Sequence, residues 1–378
     1  MVTDPALYDL APLARMALLG LALALGPLAW IALRHRGAAP ARRLRALTAL
    51  TLFLTFDLIL FGAFTRLTDS GLGCPDWPGC YGSASPWGAR EQIGAAQAAL
   101  PSGPVTHAKA WIEMTHRYFA LALGVLIITL VVLAWVKRKE LQQSPWYATA
   151  VLALVCVQGA FGAWTVTLKL QPAIVVTHLL LGMSLLAALI WLGCKNDAPR
   201  AVDARGASLR MAAAIGLVLL VVQIALGGWV STNYAVLACT DFPLCNGQWV
   251  PPMDFAHGFT FWRQLGKTAG GDFISHDALV AIHWTHRVFA VVVLSYLAWL
   301  GARARRIGGL GRVATVLLVV LAVQLATGLS NIVLGWPLLA AVAHNGGAAV
   351  LLLLMVRLHY LIGLAQARAP MPVAAAVV

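Results

Sequence analysis

Apolar residues run in long blocks along most of the chain, and the polar residues gather between them. This is neither the two-residue alternation of a half-buried strand nor the narrow stripe of a soluble amphipathic helix. A helix that crosses a bilayer needs roughly 20 apolar residues at 1.5 Å rise each. Nine windows qualify, at about 14–34, 46–65, 112–136, 147–168, 172–194, 209–232, 279–302, 312–335 and 338–362. The pattern predicts an all-α, polytopic membrane protein. Composition agrees, because 60% of the 378 residues are hydrophobic and 11% are charged, whereas a soluble domain is about a quarter charged.

The first window has the charge order of a retained helix. Its flank "MVTDPALYDLAPLAR" carries two Asp and one Arg, and the basic run "RHRGAAPARRLR" follows the apolar block. That is the reverse of a signal peptide. The formal net charge of +13 suggests nucleic acid until the basic residues are placed, since 18 of the 27 fall on one side of the spans. They are Arg34, Arg36, Arg42, Arg43 and Arg45 after the first window, then Lys137, Arg138 and Lys139, then Lys195, Arg200, Arg205 and Arg210, then Arg303, Arg305, Arg306 and Arg312, with Arg357 and Arg368. A lipid bilayer is thus the expected partner and nucleic acid is not. The positive-inside rule makes those loops cytoplasmic and places the N-terminus outside and the C-terminus inside. The two long loops, about 66–111 and 233–278, are then extracytoplasmic.

Those two loops carry "GLGCPDWPGC" (71–80) and "VLACTDFPLC" (236–245), the same Cys-x-Asp-x-Pro-x-Cys pattern twice. An oxidising, periplasm-like compartment favours local disulfides, Cys74–Cys80 and Cys239–Cys245, with a metal-binding or redox-active pair as the other reading. Cys156 and Cys194 fall inside spans, where a thiol behaves as a small buried side chain.

The cysteine motif belongs to a longer repeat. Gly62 and Gly227 each precede the first Cys by twelve residues, and "MTHRYFAL" (114–121) matches "WTHRVFAV" (284–291). "VQGAFG" (157–162) matches "VQLATG" (323–328), and Gln158 to His178 and Gln324 to His344 are both twenty residues apart. Residues 46–194 and 209–362 read as two copies of a four-helix unit, with residues 1–45 as an added N-terminal helix and basic loop. An even helix count gives both copies the same orientation, a parallel repeat about an axis along the membrane normal.

Four histidines stand at equivalent places: His116 and His286 in the second helix of each copy, His178 and His344 in the fourth. Ionisable residues within spans mark function by default. A lone histidine there is usually a hydrogen-bonding group near the headgroups, but two symmetric pairs at one depth are what bis-histidine heme ligation requires. Zinc asks for three or four converging N, S or O ligands, and each copy offers two. Arg117 and Arg287 follow the ligands directly, pointing about 100° away, where they either reach heme propionates or snorkel to headgroups. Three residues before the ligand, copy one has Glu113 and copy two has His283. Glu113 shares the ligand's face in an apolar setting suited to proton transfer. A carboxylate ion-paired to Arg117 or Lys109 is the alternative. His107, His257 and His276 are expected in solvated loops. His359 lies about 22 Å along the helix from His344, outside that site. Asp57 is mid-span with no partner evident.

The motifs "GAFTRLTDSGLGCPDWPGC", "EMTHR", "THLLLG", "HWTHR" and "AHNGGA", in this order over residues 46–362, resemble the heme A synthase family of cytochrome oxidase assembly. The extra first helix departs from that family's plain eight-helix pattern without touching these motifs. The resemblance implies oxidation of the C8 methyl of heme O to the formyl group of heme A. It assigns the substrate to His116 and His178 and acid–base chemistry to Glu113. It assigns heme b to His286 and His344. It also implies the bacterial inner membrane, a heme O synthase as upstream partner, an electron partner of unstated identity and the possibility of a homo-oligomer. Two other classes stay open: a b561-like di-heme electron-transfer protein, and a heme-delivery protein without chemistry.

Overall fold

The computed structural model describes residues 8–141, 143–196 and 201–367. Arg200, Arg368 and both chain ends lie outside them. The helices are α1 (Leu13–Arg34), α2 (Pro40–Leu67), α3 (Arg90–Ala99), α4 (His107–Val136), α5 (Trp146–Thr167), α6 (Pro172–Asn196), α7 (Arg210–Thr232), α8 (Phe255–Gly258), α9 (His276–Ala304), α10 (Gly311–Val333) and α11 (Leu338–Ala367). Among the described residues nine helices, all but α3 and α8, are long and apolar enough to cross a membrane. The protein is therefore all-α and multi-pass. The short helices α3 and α8 lie in the two long loops, and a two-residue parallel pairing joins β1 (Tyr8–Asp9) to β2 (Trp77–Pro78). Both long loops lie at one end of the bundle, the loop end.

Three helices start earlier than the apolar windows suggest. Pro40 opens α2, since proline's fixed φ suits a first turn and its missing N–H is no loss there. Arg42, Arg43 and Arg45 therefore sit on the first turns of α2 and not in a loop. The Thr106 hydroxyl accepts the Lys109 N–H at 3.2 Å and the Ser275 hydroxyl accepts the Ala278 N–H at 3.2 Å. These N-caps satisfy donors that the helix itself leaves open, so polar residues start α4 and α9. His107 and His276, expected in loops, are the first residues of those helices. Along α2, Thr48, Thr51, Thr55 and Thr65 each donate to the carbonyl four residues earlier, at 2.7–2.9 Å. Hydroxyls satisfied within their own helix impose no demand on an apolar surrounding.

Helices α6 and α11 are the central ones. Buried residues make up 44% and 50% of their apolar windows, against 17–33% in the other seven. Helix α6 packs on α2, α5, α7 and α11, and α11 packs on α2, α6, α7 and α10, while α4 lies against α1, α2 and α5. One buried cluster around Leu186, Leu297, Leu317 and Met355 fills the space between α6, α9, α10 and α11. A second, around Leu126, Ile127 and Leu189, joins α4 to α6. Helices in lipid gain little from hydrophobicity, so close van der Waals packing has to hold them.

One close backbone approach brings a loop onto a helix. A Cβ added to Gly73 would lie 2.4–2.6 Å from the Lys109 carbonyl and the Ala110 nitrogen, with no flexible atom to yield. Gly73→Ala should therefore lower stability by about 1–3 kcal/mol through overpacking. Gly124→Ala, with nothing within 4 Å of its Cβ, should be neutral or add up to about 1 kcal/mol of helix propensity. Thermal unfolding of the detergent-solubilised variants checks both, and equal responses at the two positions would contradict this packing.

Candidate functional site

The four intramembrane histidines sit in matching slots. His116 on α4 faces Gly62 of α2, and His178 on α6 faces Gly162 of α5. His286 on α9 faces Gly227 of α7, and His344 on α11 faces Gly328 of α10. In all four cases a Cβ on the glycine would meet the imidazole Cε1 at 3.1 Å. A side chain there would press on the ring, so the glycine fixes where the ring lies. His116 and His178 lie on α4 and α6, both packed against α2 and α5, and His286 and His344 on α9 and α11, both packed against α7 and α10.

Four residues before three of these glycines stands a glutamine whose amide approaches the same ring. Gln158 Nε2 is 3.4 Å from His178 Nε2, Gln223 Nε2 is 3.0 Å from His286 Nδ1, and Gln324 Nε2 is 3.4 Å from His344 Nε2. At the fourth place stands Leu58, four residues before Gly62, and Phe61 stacks on His116 at 6.1 Å between centroids. The Gln-x-x-x-Gly spacing was present in "VQGAFG", "VQIALG" and "VQLATG". Its reading as a ring-holding device needed the helix neighbours. The Nδ1 atoms of His116 and His178 are buried and have no protein partner. Two imidazoles per pair, each backed by a glycine slot, are a donor set that would fit a heme. Among the described residues no three His, Cys, Asp or Glu converge on one point.

The doubled cysteine motif forms one device twice. Cys74–Cys80 and Cys239–Cys245 are disulfides. Within each, the aspartate grips two successive amides beyond the second cysteine. Asp76 accepts from the Tyr81 and Gly82 N–H groups at 2.6 and 2.8 Å, and Asp241 from those of Asn246 and Gly247 at 2.5 and 2.9 Å. Those residues have φ of 49°, 69°, 54° and 78°, the left-handed pair that a tight hairpin turn demands and that Asn-Gly favours.

Arginine then ties each loop to its helix. Arg117 Nη1 donates to the carbonyls of Asp76, Pro78 and Gly79, and Arg287 donates to those of Cys239, Asp241 and Leu244. Neither guanidinium extends away from its loop.

Glu113 and His283 occupy the same place in this device. Glu113 Oε2 accepts the Cys74 N–H at 2.8 Å and Oε1 pairs with Arg117 at 2.5 Å. His283 Nδ1 faces the Cys239 N–H at 3.4 Å and its Nε2 faces Arg287 Nε at 3.2 Å. Both residues are 4% exposed. Lys109 pairs instead with Asp69, at 3.6 Å.

The two halves also meet at the loop end. Arg66 Nη2 donates to the Ser231 carbonyl at 2.6 Å, its guanidinium lies 4.1 Å over the Tyr234 ring, and the Tyr234 hydroxyl donates to Asp69. Each of these hydrogen bonds joins residues 165 apart in the chain, which is also the interval from Cys74 to Cys239 and from Gly62 to Gly227. Sequence reading did not find this latch. The remaining candidates stand apart: His257 pairs with Asp254 at 2.6 Å, Asp57 is on the exposed side of α2, and His359 is near the far end of α11.

The family model of COX15-CtaA, described as a cytochrome oxidase assembly protein, matches residues 45–356. A protein of Shewanella oneidensis named heme A synthase is 39% identical over 317 residues, covering 83% of this chain and 95% of its own. Proteins of the same name from Caulobacter vibrioides and Halalkalibacterium halodurans are 29% and 27% identical, covering 79% and 85% of this chain and 90% and 96% of their own.

The Asp241 carboxyl is held below the usual carboxylate range, first by the Gly247 N–H and then by that of Asn246. A depressed value stabilises the loop above the ordinary carboxylate pKa, and that contribution fades as pH falls through the depressed one. Amide exchange of Asn246 and Gly247, corrected for the intrinsic rate, should therefore be slow at pH 6 and rise below about pH 4, near the unperturbed Asp value. Asp241→Asn should exchange fast throughout.

Proposed function

We propose, on the premise that the chain belongs to the COX15-CtaA family of cytochrome oxidase assembly proteins, that it is a heme A synthase. It would oxidise the C8 methyl of heme O to a formyl group. The observation that carries the reading is the shared slot of Glu113 and His283. Two histidine-pair sites that share their glycine slots and disulfide loops differ there by one group able to take a proton as a carboxylate. A di-heme electron-transfer protein needs the four histidines and has no use for that difference, and the relatives' shared name also counts against it.

In this reading residues 46–194 and 209–362 are two four-helix copies in parallel orientation, and the 165-residue latch between α2 and α7 supports a pseudo-two-fold axis through their loop ends. The loop end faces the periplasm of a bacterial inner membrane, as the distribution of basic residues favours. His116 and His178 would hold the heme O substrate, and the glycine against each imidazole fixes that ring. His286 and His344 would hold heme b, which would supply one-electron redox capacity.

Methyl to hydroxymethyl to geminal diol removes two electrons per step and requires an oxygen donor, and the diol then loses water to give the formyl group. Glu113 accepts the proton released beside the macrocycle. The Cys74 N–H and Arg117 hold its carboxylate in place, so no reorganisation is needed when charge develops. The disulfide-closed loop above it excludes water, and no thiol chemistry is called for. A heme O synthase supplies the substrate, and an electron partner, not identified by the sequence, takes the reducing equivalents.

Glu113→Gln keeps the shape and removes the charge. It should leave both sites loaded with heme and reduce heme A formation by about 100-fold or more, the range for loss of a general acid–base, with heme O or its hydroxylated form accumulating. Mass spectrometry of hemes extracted from cells that also express a heme O producer measures this. Unchanged heme A yield would remove Glu113 from the mechanism, and heme B as the sole extracted pigment would favour the electron-transfer reading. Separately, His286→Leu and His344→Leu should each abolish the low-spin heme b spectrum of the purified protein. Survival of that spectrum in both, with its loss in His116→Leu or His178→Leu, would mean that the copies are assigned in reverse.

A further inference from the structure

We infer that residues 8–20, which lie outside the stretch matched by the family model, form a built-in clamp that positions the Cys74–Cys80 loop and, through it, Glu113. A helix that only set membrane topology would need no contact with that loop. This segment makes contacts along its whole length. Strand β1 pairs with β2 inside the disulfide loop, Tyr8 opposite Trp77 and Asp9 opposite Pro78, with the Tyr8 ring edge-on to Trp77. The Tyr8 hydroxyl shares a hydrogen bond with Thr167 Oγ1 at 3.1 Å, tying the loop to the end of α5.

Two glycines of the hairpin also abut this segment, although a Cβ on Gly79 would lie nearest the Ser83 carbonyl of its own hairpin, at 2.4 Å, and Gly82 has a φ of 69° that the turn requires. A Cβ on Gly79 would meet the Pro12 ring at 2.8 Å, and one on Gly82 would meet the Asp9 carboxylate at 2.7 Å. Further along, Met16 is 2% exposed in one cluster with Cys74, Cys80, Ile93 and Met114. Gly20 then lets the α1 backbone seat on α4, since a Cβ there would lie 2.6 Å from Leu121 Cβ. Small residues at such crossings fix the register of helices in lipid.

The clamp serves one half only. Asp76 of the clamped loop is 1% exposed, whereas Asp241 is partly exposed, and Phe242 and Trp249 of the second loop are 54% and 71% exposed. The clamped loop is the one whose Cys74 N–H holds Glu113 at 2.8 Å. The residues of the segment are positioning residues, acting on the carboxylate through the loop, and this function rests on the reading of Glu113 given above.

The test uses the full-length protein in detergent with three variants: Tyr8→Ala combined with Asp9→Ala, Gly20→Leu, and the conservative Tyr8→Phe. Hydrogen exchange of peptides spanning 72–83 should speed by about tenfold or more in the first two, reporting local opening, while peptides spanning 237–248 stay unchanged. In the double variant thermal midpoint and bound heme should hold, whereas Gly20→Leu should lower the midpoint by overpacking against Leu121. In both, kcat for heme A formation should fall several-fold with KM retained, and Tyr8→Phe should keep most of the activity. If Gly20→Leu fails to assemble, the double variant carries the test. Unchanged exchange in 72–83 overturns the clamp whatever the activity does. Faster exchange with full turnover, in a background where Glu113→Gln is inactive, overturns the positioning of Glu113. Full activity of Glu113→Gln itself sinks the assignment of Glu113 and leaves the clamp's effect on the loop standing.

Discussion

Two guanidinium groups in an apolar setting hold the loop end of this molecule together. Arg117 and Arg287 each spend their donors on carbonyls of a disulfide-closed loop and on the residue four positions earlier in their own helix. A charge near the end of a span is expensive when unpaired, and removing one member of a buried pair typically costs about 3–5 kcal/mol. The pair of Arg117 and Glu113, with side chains 10% and 6% exposed, is therefore stable only while the loop stays folded over it. The disulfide, the aspartate grip and the glycines at left-handed φ all serve to present carbonyls to the arginine and one N–H to the residue beside it.

From that constraint follows the relation between the two sequence copies. The device is the same on both sides, so the partner set of its central slot is the same: one cysteine N–H and one arginine. A carboxylate meets both donors with acceptor oxygens. A neutral imidazole has one acceptor nitrogen, so His283 satisfies one of them at most and holds its loop less firmly. The longer 3.4 Å contact to Cys239 and the more exposed second loop agree with that. The other broken position, Leu58 in place of a glutamine, belongs to the same helix set as Glu113, and His116 has the stacked Phe61 ring for a neighbour where the other three histidines have an amide.

The order of the nine long apolar helices among the described residues, the doubled cysteine motif, the four histidines and the odd position of Glu113 were all legible in the sequence. Each is set by spacing along one chain, and lipid enforces such spacing strictly, since a span must be apolar and an ionisable residue within it stands out. Helix starts were less legible. Pro40, Thr106 and Ser275 begin helices through backbone φ and capping, which operate in polar stretches that carry no apolar signal.

The sequence alone determined which residue types would meet in pairs and that the halves would differ in one of them. Only the tertiary structure decided what those residues hold on to. Arg117 was open between a heme propionate, the headgroups and Glu113, and the structure gives it Glu113 together with three loop carbonyls that converge where the helix surfaces. Gly62, Gly162, Gly227 and Gly328 were repeat markers until a neighbouring helix placed an imidazole 3.1 Å from each absent Cβ. The clamp by residues 8–20 and the latch from Arg66 to Ser231 join segments far apart in the chain. Such contacts depend on how closely two backbones approach, and a one-dimensional pattern carries no record of that distance.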